Sequence, residues 1–226
     1  MKKNSIIPTF KDQKKFWENQ EGRRQPNHPV IEAFAIPKID FVINAICKSE
    51  ALEENTSLLD IGSGNGFFSY YLERDFNVTT FDFSFCMLKN NPVKPKVLGS
   101  ALELPFKNNS YDIVFCSNLL HHLWPPEVAV REMVRVSRRF IALSEPNRNN
   151  PLMFLYSVLK AEERGTVKFS KSYLEGLLKK AKCEVVAAGG SGGILPNITP
   201  LALLPILKKL EFFVYPRFYF IAIGRK

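Results

Sequence analysis

Cysteines are few in this 226-residue chain, and their spacing argues against the usual cysteine-based sites. The four cysteines, Cys47, Cys86, Cys116 and Cys183, lie far apart and form no CxxC pair or Cys/His cluster. Zinc ligands and the disulfide frameworks of small secreted proteins recur at short, regular spacings. We therefore expect no metal site and a reducing environment.

Apolar runs long enough to cross a bilayer are also missing. The most apolar stretch, residues 194–207, is interrupted by Pro196, Pro200 and Pro205, whereas a transmembrane helix needs about 20 apolar residues. The first fifteen residues are polar and contain lysines, without the apolar centre of a signal peptide. We therefore expect a cytoplasmic protein.

Acidic residues are fewer than basic ones, 22 against 31, and the formal net charge is +9. Residues 51–150 are nearly neutral, with 10 basic and 11 acidic side chains, but residues 151–226 contain 12 and 5. A basic third of this kind could attract RNA, anionic lipid head groups or a phosphorylated substrate. It could equally be a solvated surface, and the charge alone leaves these alternatives open.

Strand-like and helix-like segments alternate along the chain, which predicts an α/β fold with a doubly wound, mostly parallel sheet. The predicted strands are residues 57–61, 77–82, 96–99, 111–117, 140–145, 183–188 and 217–223. The predicted helices are residues 11–19, 37–49, 67–74, 83–90, 127–137, 151–161 and 171–182. An insertion at about residues 189–216 is expected, beginning with a flexible glycine-rich loop.

The strongest local signal is a glycine-rich turn after the first predicted strand, LLDIGSGNG at residues 58–66. Gly62, Gly64 and Gly66 let the backbone bend sharply and approach a ligand, and the next helix offers unpaired N–H groups to an anion. Asp82, at the end of the second strand, could accept hydrogen bonds from both hydroxyls of a ribose. Together these features predict a site for a nucleoside with an anionic extension.

Three segments make the chain resemble the class I S-adenosylmethionine-dependent methyltransferases, particularly the branch that includes ubiquinone and menaquinone methyltransferases. They are residues 58–66, residues 78–88 (VTTFDFSFCML) and residues 99–123 (GSALELPFKNNSYDIVFCSNLLHHL). The resemblance implies a Rossmann-like sheet of seven strands, the last antiparallel, with helices on both faces. It also implies S-adenosylmethionine as cofactor, S-adenosylhomocysteine as product, and in-line methyl transfer to oxygen or carbon of a small-molecule or lipid-like acceptor.

The resemblance assigns the methionine and ribose portions of the cofactor to one group of residues. Asp60 and the backbone of Gly62, Ser63, Gly64 and Gly66 would hold the methionine portion. Asp82 would bind the ribose, and Asn118 would lie near the sulfonium.

A second group would surround the adenine. Phe83 and Met87 would flank the ring, and Ala101 and Leu102 would contact its edge through backbone groups. Ser100 stands where the family usually has an acidic residue that accepts from the adenine amino group. Cofactor affinity or base selectivity could therefore differ from the family pattern.

His121 and His122 follow the fourth strand, where an acceptor would enter, and are the candidate catalytic residues. Histidine titrates near neutral pH, so either could remove a proton from the acceptor. A role in packing or in orienting the loop is the alternative. A base is optional, because alignment of the nucleophile with the methyl group can supply much of the rate.

Other polar residues are candidates for acceptor binding. Glu145, Asn147 and Arg148 lie at the end of the fifth strand on the same rim, and Arg148 would suit an anionic acceptor. Residues 1–36 precede the methyltransferase domain proper (residues 37–226) and are expected to form a lid over the site, and Trp17 of this segment is a further candidate for acceptor binding.

The apolar segment at residues 194–215 contains a cluster of leucine, isoleucine and phenylalanine, including Phe212 and Phe213, around Lys208 and Lys209. Such a segment more often covers the core or forms a dimer face. Shallow docking on an anionic bilayer is the other alternative. The sequence does not indicate the oligomeric state.

Three other functions stay open. An RNA or protein methyltransferase is favoured by the basic C-terminal third, but residues 117–120 read SNLL and not an NPPY-type motif. An NAD(P)-dependent oxidoreductase is disfavoured because Phe67 stands where the GxGxxG fingerprint needs its third glycine. A non-catalytic protein that binds the cofactor is the third alternative.

Overall fold

The fold is organised around one seven-stranded sheet in the part of the chain that the computed structural model describes, residues 8–20, 22–210 and 215–226. The strands are β1 (Ser57–Ile61), β2 (Asn77–Asp82), β3 (Lys96–Leu98), β4 (Tyr111–Ser117), β5 (Ser137–Pro146), β6 (Glu184–Ser191) and β7 (Tyr219–Arg225). Their order is β3-β2-β1-β4-β5-β7-β6, and only β7 runs antiparallel to its neighbours. The predicted fold class is confirmed.

Helices cover both faces of the sheet, and the central strands are accordingly buried on both sides. They are α1 (Phe10–Glu18), α2 (Pro29–Ser49), α3 (Ser69–Leu72), α4 (Phe85–Lys89), α5 (Pro126–Val136), α6 (Pro151–Leu159), α7 (Lys171–Lys180) and α8 (Leu204–Leu210). Along β4, Ile113 and Phe115 pack in the core beneath α2, whereas Val114 and Cys116 pack in the core beneath α5 and α7. This period of two places a separate apolar core on each face of the sheet.

Several predicted boundaries differ from the structure, and two of the differences concern α2 and a strand on which it packs. The helix expected from residue 37 begins at Pro29, because His28 caps it by accepting from the Val30 N–H group at 3.1 Å. Pro37 lies inside α2, and the buried face of the helix continues on both sides of it.

The expected glycine-rich loop is partly strand, since β6 continues through Gly189 and Gly190. A side chain at Gly189 would come within 2.7 Å of the Phe41 ring, so α2 can pack directly on this strand.

The carboxyl ends of the parallel strands meet at one edge of the sheet and position the site. β1, β2, β4 and β5 end there at Ile61, Asp82, Ser117 and Pro146. In the described ranges, no helix combines the length and the apolar character that crossing a membrane requires. Phe212 and Phe213 of the expected apolar insertion lie outside the described residues.

Candidate functional site

A cavity of about 620 Å³ opens at the carboxyl ends of β1, β2 and β4. This volume is within the range of small-molecule sites, about 300–1,000 Å³. The predicted site residues that line the cavity are Trp17, Gly62, Ser63, Gly64, Asp82, Phe83, Met87, Asn118, His121 and His122. Packing therefore brings most of the predicted cofactor residues and both predicted catalytic histidines to one place.

The glycine-rich turn has the backbone that its sequence predicts. Gly62 and Gly64 have φ of +75° and +52°, and Gly66 has φ of +92°, a region that side chains disfavour. At Gly66 a side chain would also come within 2.6 Å of the Asn91 amide oxygen. Gly66 itself does not line the cavity. Its conformation instead lets Asn91 hold the turn from behind.

Asp60 is buried beneath the turn and does not line the cavity. Its carboxylate accepts a 2.5 Å hydrogen bond from the Ser69 hydroxyl, at the start of α3. Burial raises the pKa of Asp60 to about 7, with a smaller contribution from the charge of Asp82. The structure thus places Asp60 where it can support the turn but not contact a ligand in the cavity.

Asp82 lines the cavity and joins the two loops that form its floor. One carboxylate oxygen accepts from the Gly64 N–H group and the other from the Ser84 N–H group, both at 2.8 Å. Burial raises the pKa of Asp82 to about 6, although these hydrogen bonds oppose the shift. The carboxylate is therefore mostly ionised at neutral pH and can accept further hydrogen bonds.

A narrow gap adjoins the cavity beside Asp82. It has a volume of about 10 Å³, and its lining includes Phe83, Ser100 and Ala101. Leu102 lines neither space, and its N–H group donates to the Ser100 hydroxyl at 3.2 Å. The gap holds about one water molecule, so a planar base could enter only after side chains move.

Several buried polar atoms around the cavity have no hydrogen-bond partner among the described residues. Leaving such an atom unpaired typically costs about 1–3 kcal/mol, so each is a candidate for contact with a polar ligand. They are Arg23 Nε, Ser63 Oγ, Ser117 Oγ and Asn118 Oδ1.

His121 is held between two carboxylates. Its Nδ1 lies 2.5 Å from Glu145 Oε2 and its Nε2 lies 3.1 Å from Glu163 Oε2. Burial alone would lower the pKa of His121, but the charges and hydrogen bonds of Glu145 and Glu163 raise it to about 10. Both ring nitrogens therefore carry protons at neutral pH, and His121 has no lone pair with which to accept another.

His122 is the opposite case. Its Nδ1 lies 3.1 Å from the Glu162 carbonyl oxygen, which requires an N–H group at that position. Burial, together with the positive charge of His121, lowers the pKa of His122 to about 3. The ring is therefore neutral, and its Nε2 is left as a hydrogen-bond acceptor on a residue that lines the cavity.

Among the described residues, His121, His122 and Glu163 are also close enough to be considered as metal ligands. One donor atom from each lies within 4.8 Å of the others. A metal ion would have to displace the proton of His121, whose pKa is about 10. The arrangement observed is accordingly an ion-paired network.

The residues expected to bind the acceptor after β5 do not line the cavity. Glu145 is buried and accepts from the Leu119 and Leu120 N–H groups at 2.9 and 2.8 Å, in addition to its contact with His121. Asn147 is fully buried and donates to the Arg217 carbonyl oxygen at 2.7 Å. Arg148 is exposed. The polar atoms of Glu145 and Asn147 are therefore hydrogen-bonded to backbone groups and His121, and they do not face the cavity.

Other parts of the chain supply that side of the cavity, and the sequence did not identify them as site residues. They include Gln13 and Phe16 of α1, Met153 and Tyr156 of α6, Glu163, and residues 195–198. Arg23 also lines the cavity, and its guanidinium lies between the rings of Trp17 and Phe67, at 5.2 and 5.3 Å. No motif or periodicity marks these positions, because they come from segments distant in the sequence.

Helix α1 lies across this cavity and is attached on both sides. Gln13 donates to the Glu162 carbonyl oxygen at 2.9 Å, and the Ser84 hydroxyl donates to the Trp17 carbonyl oxygen at 3.2 Å. The Trp17 and His122 rings meet edge to face at 5.2 Å. The N-terminal segment is thus part of the cavity wall.

Comparison with known proteins gives consistent matches. Residues 59–139 match the methyltransferase domain family. An uncharacterized protein of Methanocaldococcus jannaschii is 35% identical over 116 residues, 50% of this chain and 51% of that protein. A demethylmenaquinone methyltransferase of Renibacterium salmoninarum is 36% identical over 86 residues, 36% of each chain. The chain thus spans about half or less of the length of the curated relatives that it matches.

A solved structure resembles the whole fold. It is an S-adenosylmethionine-dependent methyltransferase from Thermotoga maritima, with a TM-score of 0.63 and 18% identity over 87% of this chain and 92% of that chain. At this identity, the likeness concerns the fold alone.

Proposed function

We propose, on the premise that this chain is a class I S-adenosylmethionine-dependent methyltransferase, that it methylates a small, largely apolar acceptor of lipid-like character. The observation that carries this proposal is the lining of the cavity opposite the glycine-rich turn. This side is mainly apolar and aromatic, with His122 as a neutral polar group and with Gln13, Lys160 and Glu163 as further polar members. Its apolar and aromatic members are Phe16, Trp17, Met153, Tyr156, Leu195 and Ile198.

The cofactor side of the cavity suits the ribose and methionine portions of S-adenosylmethionine, and the adenine would enter beside Ser100 and Ala101 after side chains move. Asp82 offers an ionised carboxylate for the ribose hydroxyls. The unpaired Ser63 hydroxyl and Asn118 amide oxygen are available to the methionine portion, and Arg23 supplies a cation for its carboxylate. Asp60 acts through Ser69 to support the turn. When bound, the cofactor supplies a methyl group made electrophilic by the adjacent sulfonium.

The residues of this chain contribute mainly alignment. α1 with Trp17 acts as the lid expected for residues 1–36, and it excludes water from the cavity while it is attached to Glu162 and Ser84. His121 cannot accept a proton, so its role is to hold the turn through Glu145 and Glu163. His122 Nε2 accepts a hydrogen bond from an acceptor hydroxyl and orients the nucleophile.

Methyl-transfer assays separate the candidate functions. The purified full chain would be incubated with methyl-labelled S-adenosylmethionine and three probes, a reduced prenyl-naphthoquinone, bulk RNA and unfolded protein. The naphthoquinol is chosen because relatives named demethylmenaquinone methyltransferases match this chain. We expect label in the organic extract. Label confined to RNA or protein would support the rival methyltransferase.

Cofactor titrations complete this test. We expect S-adenosylhomocysteine to bind in a calorimetric titration and NADH not to bind. Binding of NADH alone would indicate an oxidoreductase. Binding of S-adenosylhomocysteine without transfer to any probe would indicate a non-catalytic protein.

The His122→Phe variant tests the acceptor side. Phenylalanine keeps a ring of similar shape but removes Nε2, so we expect kcat with the naphthoquinol to fall about 10- to 100-fold. The Kd of S-adenosylhomocysteine should change less than twofold. The matched control is His28→Asn, which preserves a side-chain cap on α2 outside the cavity. Unchanged kcat in the His122 variant would show that His122 Nε2 does not orient the acceptor and that the ring serves only in packing.

A further inference from the structure

Helix α6 exposes an unusually apolar surface. Of its nine residues, only Met153 and Ser157 are buried. Its exposed large side chains are all apolar, with exposed fractions of 45–71%. They are Leu152, Phe154, Leu155, Val158 and Leu159. A helix on a water-facing surface normally exposes polar side chains on its outer face.

A second segment has the same character. Ile198, Leu201, Leu203 and Ile206 are between 47% and 56% exposed, while Leu204 is buried and anchors the segment to the core. These four residues and the five exposed apolar side chains of α6 are called the apolar rim. The rim holds nine of the thirteen large apolar side chains that are strongly exposed in the described part of the chain. Such a concentration typically marks an interaction surface.

The two segments of the rim border the same cavity. α6 lines it through Met153 and Tyr156, followed by Lys160, and the second segment lines it through residues 195–198. Arg24 holds the second segment in place by donating to the Pro196 and Thr199 carbonyl oxygens, both at 2.7 Å. A surface that contacts the rim therefore lies next to the entrance of the proposed acceptor site.

The charged side chains within the two rim segments are all basic, and Glu162 and Glu163 follow Lys160 along the chain. Residues 149–160 and 196–210 contain no aspartate or glutamate, and they contain three lysines, Lys160, Lys208 and Lys209. All three lysines are exposed. Apolar side chains surrounded by lysines complement a bilayer with anionic head groups. A symmetric dimer through the same surface would instead bring the three lysines of each copy into one interface, and the two rim segments offer no carboxylate to pair with them.

We infer that the apolar rim docks on an anionic lipid bilayer, so that the acceptor enters the cavity from the membrane. The rim inserts its leucine and phenylalanine side chains among the acyl chains, and the lysines contact the head groups. This inference rests on the lipid-like acceptor proposed above. It adds the route by which such an acceptor reaches the site.

Vesicle sedimentation tests the inference without any methyl transfer. We expect the full chain to pellet with vesicles of phosphatidylcholine and phosphatidylglycerol, and less with phosphatidylcholine alone or in high salt. The Leu155→Ser/Leu159→Ser variant should bind at least about tenfold more weakly. The matched control is Leu98→Ser, which changes an exposed leucine (54% exposed) on the edge strand β3, and it should bind as the wild type does.

Several results would overturn the inference. One is failure of the wild type to bind anionic vesicles, and another is equal binding of the vesicles by the wild type and the double variant. The third is a wild-type dimer in sedimentation equilibrium that becomes a monomer in the double variant, which would make the rim a dimer interface. Thermal unfolding of each variant verifies that it is folded.

Activity measurements distinguish this inference from the proposed function. The double variant should methylate a water-soluble short-chain naphthoquinol at the wild-type rate, because neither leucine lines the cavity. It should methylate a vesicle-embedded prenyl-naphthoquinol at least about tenfold more slowly. If the wild type methylates neither probe, the proposed function fails and the sedimentation result still decides the docking surface. Equal rates of the wild type and the variant on the embedded probe would contradict entry from the membrane.

Discussion

Replacing Asp82 by asparagine is expected to weaken the binding of S-adenosylhomocysteine at least about 100-fold. Each hydrogen bond from a ribose hydroxyl to the ionised carboxylate contributes about 1.5–3 kcal/mol. The carboxylate also accepts from the Gly64 and Ser84 N–H groups, one on each oxygen. An amide can accept on only one side, so its NH₂ group would face a donor and displace one of the two loops. Calorimetric titration measures the loss.

The control for this variant is Asp75→Asn, which alters an exposed carboxylate just before the other end of β2. It should bind the ligand as the wild type does, and both variants should unfold cooperatively. Near-normal affinity of the Asp82 variant would show that the ribose lies elsewhere.

The same carboxylate predicts a pH dependence. Because the pKa of Asp82 in the free protein is about 6, the wild-type Kd should rise about tenfold for each pH unit below 6. The Asp82→Asn variant should lack this dependence. Since the folded-state pKa lies above the ordinary value of 3.8, ionising Asp82 destabilises the free protein. The contribution of Asp82 to stability therefore decreases as pH rises from about 4 to about 6.

Replacing Gly165 by alanine is expected to lower the free energy of unfolding by about 3 kcal/mol. A β-carbon at Gly165 would lie 1.7 Å from the carbonyl oxygen of His121. Because this oxygen belongs to the backbone, a change of side-chain rotamer cannot relieve the clash. The 3₁₀ segment Ala161–Lys168 would have to separate from the turn Leu120–His122. That separation would break the contacts of His121 with Glu163 and of His122 with the Glu162 carbonyl.

Chemical denaturation of the Gly165 variant measures this effect, and Gly176→Ala is the matched control. Gly176 lies in the middle of α7, and beyond the neighbouring backbone of the helix itself no atom of the described residues lies within 4 Å of the position that a β-carbon would occupy there. Alanine should therefore stabilise the protein by about 0.5–1 kcal/mol. If the Gly165 variant were as stable as the wild type, Gly165 would not pack against the His121 carbonyl in solution. In a folded fraction, we expect kcat to fall more than cofactor affinity, because the substitution breaks interactions of the two histidines and leaves Asp82 in place.

The geometry of the proposed cofactor side was largely predictable because its signals are local. β1, β2 and β4 have the predicted bounds, since each is a short apolar run between turn residues. The ends of parallel strands meet at one edge, so the sequence placed Asp82 beside the glycine-rich turn. The same reasoning did not predict the contacts at the end of β5, where Glu145 and Asn147 lie at that edge but bind backbone groups and His121.

By itself, therefore, the sequence determined the sheet, its functional edge and the residues proposed to hold the cofactor, because hydrophobic periodicity and glycine conformations act over a few residues. Only the tertiary structure decided which side chains form the other half of the cavity and which protonation states the two histidines adopt. Gln13 meets Glu162, and His121 meets Glu163, across 149 and 42 residues of chain. Contacts over such separations, and the burial that shifts the pKa of each histidine, arise only from packing.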